Sequence, residues 1–204
     1  MTRMWWLAIV VSMVGMLGGA PPVMAAARVG EAAPDFSLTD AAGQTRSLSE
    51  FRDRWVVLEW VNPDCPFVRK HYDSRNMQDL QQAYTTKDVV WLSINSSAPG
   101  KQGHLTPELG QQFLDERGAR PTALLLDADG RVGRLYGAKT TPHIFIVNPD
   151  GVLVYMGAID DRRSVDPTDA ATAHNYVRAT LDAGMGDQPI AVSATEPYGC
   201  SVKY

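Results

Sequence analysis

Trp55-Val56-Val57-Leu58-Glu59-Trp60-Val61-Asn62-Pro63-Asp64-Cys65-Pro66 is the stretch that decides how the chain folds. Its first seven residues are apolar apart from one acid, the pattern of a strand buried on both faces in the middle of a sheet. Asn62-Pro63-Asp64 breaks that strand, and Pro66 suits the first position of a helix, where a missing N–H costs nothing. A strand, a short break and a helix therefore meet at Cys65, and the helix is predicted to run from Phe67 to Tyr84.

Downstream, Val89 to Asn95 is a second apolar strand, and Ser96 to Leu105 is a polar loop. Thr106-Pro107-Glu108 opens a helix with cap, proline and acid in order, and Gly118 closes it. Ala123 to Leu126 reads as a short buried strand, Asp127 to Gly130 as a turn and Arg131 to Tyr136 as a short helix. Thr141-Pro142 precedes the strand His143 to Val147. Asn148-Pro149-Asp150-Gly151 then turns the chain into the strand Val152 to Met156, a hairpin marked by its Asp-Gly pair. Residues 168–183 form a closing helix and residues 184–204 a tail. Upstream, Pro34 to Asp40 and Gln44 to Leu48 flank a turn at Ala42-Gly43, an N-terminal β-hairpin. The order predicts an α/β fold with a central mixed sheet and helices on both faces.

Arg3 is the only charge in the first 25 residues, followed by an apolar stretch from Met4 to Leu17 and small residues from Val23 to Ala27. That order is a secretory signal peptide over residues 1–25, with cleavage expected near Ala25 and a periplasmic or secreted product. The apolar stretch falls short of the ~20 residues that span a bilayer, so no stable membrane association is expected after cleavage; a retained anchor is the rival reading. A net charge of −4 without a basic stripe argues against nucleic acid as a partner. The chain has two cysteines, Cys65 and Cys200, and four histidines without a spaced pair. That is too few ligands for a zinc or iron–sulfur site, and no metal or cofactor is expected. In an exporting compartment two thiols can pair or do redox work.

A thiol at a helix start lies beside unpaired N–H groups and the positive end of the helix dipole, both of which favour the nucleophilic thiolate. The dipole supplies only ~0.3–1 kcal/mol, less than one pKa unit. Arg69 and Lys70 in the first turn are expected to add to it, and Asp64 to oppose it. The alternative is a plain buried core cysteine. Glu59, six residues before Cys65 and surrounded by Val56, Val57, Leu58, Trp60 and Val61, is expected to be desolvated and to titrate high. It could exchange a proton with the thiol, or hold a purely structural place. Thr141-Pro142, at the head of a buried strand, is a candidate cis peptide bond.

Together these motifs resemble the thioredoxin fold. Gly30-Glu31-Ala32-Ala33-Pro34-Asp35-Phe36-Ser37-Leu38 resembles the start of its redoxin branch, the alkyl hydroperoxide reductase/thiol-specific antioxidant family. The resemblance covers residues 28–183, read as one thioredoxin-like redoxin domain. It implies that Cys65 matches the nucleophilic first cysteine of Cys-x-x-Cys, Glu59 the buried acid and Pro142 the cis-proline beside the cysteine. Val68 stands where the second cysteine would be. Leu58 and Asn62 stand where a peroxiredoxin would carry proline and threonine, and Thr141-Pro142 stands where it would carry an arginine. The chain thus resembles the peroxiredoxin-like subgroup that keeps the first cysteine without the peroxidase triad.

Cys200, five residues from the end, can fold over the site and resolve a mixed disulfide at Cys65. A static Cys65–Cys200 bond would instead pin the tail, worth ~4–5 kcal/mol by loop closure. The resulting expectation is an exported thiol–disulfide oxidoreductase with Cys65 as nucleophile. It would act on a protein disulfide or thiol and be served by an external thiol reductant. A weak thiol peroxidase with antioxidant activity and a non-enzymatic binding or assembly protein are the alternatives.

Overall fold

The computed structural model describes residues 26–204; the signal-peptide reading of residues 1–25 lies outside the described residues. A seven-stranded sheet runs in the order β2 (Thr45–Ser47), β1 (Ser37–Asp40), β5 (Ala123–Leu126), β4 (Val90–Asn95), β3 (Val56–Trp60), β7 (His143–Val147), β8 (Leu153–Gly157). β3 pairs parallel with β4 and antiparallel with β7, and β4 pairs parallel with β5. The apolar run read as a central strand is therefore central, with every residue of β3 buried.

Alternation along the strands divides the core into two layers. Val57, Trp91, Ile144 and Ile146 face the layer built from α1 (Pro66–Asp73), α2 (Asn76–Thr85), α3 (Pro107–Arg117) and α5 (Tyr176–Met185). Val56, Leu58, Trp60, Leu92 and Phe145 face α4 (Arg131–Tyr136) and the N-terminal segment around Phe36. Helices thus cover both faces of a mixed sheet, and the N-terminal hairpin β1–β2 is present. α3 begins where its sequence signals placed it: Thr106 Oγ1 accepts from the Leu109 N–H at 3.3 Å, and Gly118 closes the helix at φ +58°.

Two helix expectations are corrected. The helix expected from Phe67 to Tyr84 is two helices, because Arg75 adopts a left-handed conformation at φ +64° and interrupts the ladder. The helix expected over 168–183 is a 3-10 turn at Pro167–Ala171 followed by α5, whose start is fixed by the Asn175 side chain accepting from the Arg178 N–H. The tail also has structure. Ala194 bridges to Met156, and β9 (Cys200–Ser201) pairs antiparallel with β6 (Thr140–Thr141).

Candidate active site

β3 delivers the chain to the break, and the Asn62 side chain builds it. Asn62 Oδ1 accepts from the Asp64 N–H at 2.9 Å, while its Nδ2 donates to the Gln102 carbonyl at 3.1 Å. Gly103 makes this closure possible: at φ +73°, a Cβ there would lie 1.9 Å from the Asn62 side-chain oxygen. The break leaves Cys65 at the N-cap of α1, with Pro66 in the first turn.

The Cys65 thiol is fully buried and donates to the Thr141 carbonyl at 2.9 Å. The Thr141–Pro142 bond is cis, as its setting suggested. The Thr141 hydroxyl is buried without a partner among the described residues, so this residue offers the thiol its carbonyl and not its side chain. The tail lies against the same residue, for Thr141 and Cys200 are register partners in the β6–β9 pair. Gly199 permits that approach: at φ +149°, a Cβ would lie 2.1 Å from the Thr141 carbonyl oxygen. Cys65, Thr141, Pro142 and Cys200 are thereby gathered in one place from chain positions far apart.

Both cysteines are free thiols, Cys65 buried and Cys200 half-buried. The Cys200 thiol is pushed up to about 11, first by burial and then by the neighbouring Cys65 thiol, with Lys203 and Arg69 pulling the other way.

Glu59 sits on the same face of β3, fully buried, opposite Ser93 in register. Its carboxyl accepts from Tyr72 Oη at 2.9 Å, Trp91 Nε1 at 2.8 Å, Ser93 Oγ at 2.9 Å and Gln81 Nε2 at 3.5 Å. Burial raises its pKa, and these four donors offset part of the rise. Among the described residues it has no hydrogen bond to Cys65, so it forms a separate polar knot behind the thiol.

Lys70 corrects an expectation. It turns away from the helix start and is buried in an ion pair with Asp160 at 3.1 Å. It also donates to the Arg162 carbonyl at 2.6 Å and to Tyr198 Oη at 3.2 Å. Sequence reading missed Asp160 and Tyr198 altogether. They lie 90 and 128 residues from Lys70, and no local pattern links them. The one available signal was position: Tyr198 stands two residues before Cys200.

A model of the AhpC/TSA family matches residues 29–156. The thiol-disulfide oxidoreductase ResA of Geobacillus thermodenitrificans (strain NG80-2) is 25% identical over 126 residues, 62% of this chain and 67% of the relative. Among solved structures, an uncharacterized conserved protein from Geobacillus kaustophilus superposes with a TM-score of 0.75 at 28% identity, over 87% of this chain and 92% of its own. The thioredoxin domain of a thiol-disulfide oxidoreductase from Bacteroides vulgatus superposes with a TM-score of 0.51 at 20% identity, over 71% of this chain and 96% of that one. The fold is thioredoxin-like.

Proposed function

This chain belongs to the AhpC/TSA family, and from that premise we propose that it is an exported thiol–disulfide oxidoreductase whose redox couple is Cys65 and Cys200. The observation that carries the reading is the convergence of both residues on Thr141, one through its thiol and the other through strand register. The likeness to a thiol-disulfide oxidoreductase supports it at the level of reaction class. Export is supported by the signal-like order of residues 1–27.

Cys65, as thiolate, attacks one sulfur of a protein disulfide. A Cys65–substrate bond forms, the substrate S–S bond breaks, and the leaving thiolate takes a proton. Cys200 then attacks the Cys65 sulfur, the intramolecular disulfide forms, and the second substrate thiol leaves. The substrate gains two electrons and the Cys65–Cys200 pair loses two; an external dithiol restores them. Thr141 and Pro142 shape the wall against which the sulfurs meet. Glu59 lies behind them as a separate hydrogen-bonded acid whose pKa burial raises.

The same pair supports a second reading, peroxide reduction. Peroxide would convert the Cys65 thiol to a sulfenic acid and release water, and condensation with the Cys200 thiol would then form the same disulfide and a second water. Leu58 and Asn62 weigh against it, since Asn62 commits its side chain to Asp64 and Gln102.

Turnover of a protein disulfide by the wild type, Cys65→Ser and Cys200→Ser decides between them. Cys65→Ser should be inactive, and Cys200→Ser should stall as a mixed disulfide. Full turnover by Cys65→Ser ends the proposal; fast peroxide consumption with no disulfide turnover favours the second reading.

A further inference from the structure

Tyr198 lies at the centre of a buried polar cluster that the exchange chemistry does not itself use. Its hydroxyl donates to Asp160 and accepts from Lys70 Nζ at 3.2 Å. His71 completes the set at 3.3 Å. Asn76 Nδ2 donates to His71 Nδ1 at 2.9 Å, which assigns the remaining ring proton to Nε2 and makes it a donor to Tyr198. The hydroxyl therefore gives one hydrogen bond and receives two, its full capacity. Lys70 is equally saturated by Asp160, the Arg162 carbonyl and Tyr198. The Tyr198 ring adds an edge contact with Phe67, centroids 5.8 Å apart.

Three parts of the chain meet here. Lys70 and His71 belong to α1, which begins at Cys65. Asp160 follows β8, and Tyr198 stands two residues before Cys200. A buried ion pair is a poor source of stability compared with apolar packing, so its use in this place asks for another explanation. Directional bonds fix orientation, which apolar contacts do not. A disulfide needs its two Cβ atoms about 3.5–4.5 Å apart, a demand on position of less than an ångström either way.

We propose that Tyr198, held by Lys70, Asp160 and His71, is a positioning residue that registers the tail against α1 so that Cys200 meets Cys65. The proposal rests on the Cys65–Cys200 couple described above. The cluster clamps the Gly199–Cys200 segment from the upstream side, as the Lys139 carbonyl, accepting from the Val202 N–H at 3.1 Å, does from downstream. Releasing the clamp leaves the thiols intact and lowers their effective concentration toward each other.

The test is the equilibrium between the Cys65–Cys200 disulfide and a glutathione redox buffer, read by acid quench and mass spectrometry. Wild type, Tyr198→Phe and Tyr84→Phe are compared. Tyr84→Phe also removes a hydroxyl bonded to an aspartate, Asp182 at 2.8 Å, but one between α2 and α5, away from the tail. Tyr198→Phe should destabilise the disulfide at least tenfold, about 30 mV for a two-electron couple, and Tyr84→Phe should not shift it. Equal stability in wild type and Tyr198→Phe overturns the positioning role alone, as does an equal shift in Tyr84→Phe. A wild type that forms no such disulfide overturns the redox couple and the clamp with it.

Discussion

Cys200 is a thiol whose chemistry is altered by its surroundings. Burial, and then the adjacent Cys65 thiol, hold it up to about 11, so at neutral pH it is protonated and weakly nucleophilic. In the mixed disulfide Cys65 is no longer a thiol, but burial, the larger cause, still holds Cys200 up, so resolution should accelerate as the pH rises above 7. Stopped-flow release of the second substrate thiol measures this, and a flat profile would contradict it. Glu59 makes a different prediction. Its folded-state pKa lies above the ordinary 4.5, so its stabilising contribution is complete below 4.5 and drains as the pH rises through the folded value. Glu59→Gln removes that drain. The stability of the variant relative to wild type should increase with pH, as seen by denaturant unfolding from about pH 5 to 8.

At the scale of elements, the site depends on the two-residue pairing of β6 with β9. Gly199→Ala would drive a Cβ to 2.1 Å from the Thr141 carbonyl oxygen at a φ of +149°. That conflict should detach β9, at a cost of about 1–3 kcal/mol. Free Cys200 should then alkylate faster, and unchanged reactivity would count against the pairing. Much at this scale was legible in the sequence. The strand Val56–Trp60, the helix start at Pro66 and the capped start of α3 each carry local signals, namely an apolar run, a proline and a Thr-Pro-Glu order. The break between α1 and α2 was not legible, because Arg75 takes a left-handed φ of +64° that its residue type does not announce. The role of Lys70 was misread for a related reason. Adjacency to Cys65 in the chain suggested an effect on the thiol, whereas its partners, Asp160 and Tyr198, arrive from the far end of the chain.

Across the whole molecule, two buried neutral histidines on different faces set the response to acid. Burial lowers His71 to about 4 and His143 to about 3 from the ordinary 6.5. The native state resists their protonation, so their stabilisation is complete above 6.5 and is lost as the pH falls through that value toward 4 and 3. They should contribute a slope approaching 2.7 kcal/mol per pH unit, about two protons, offset in part by the opposite sign of Glu59. Stability measured from pH 7 to 4 should fall; a level profile would contradict the neutral histidines. The mixed sheet with helices on both faces and the N-terminal hairpin were readable from local apolar runs and turn signals, whereas the order of the strands was not. Nor was the gathering of both thiols on Thr141, since it depends on how the tail of residues 184–204 folds back to pair with β6. That gathering is most directly tested by oxidising the purified protein with a stoichiometric disulfide and mapping the product by peptide mass spectrometry. An intramolecular Cys65–Cys200 link, with both free thiols lost together, is the expected result; a stable adduct on one cysteine with the other still free would contradict it.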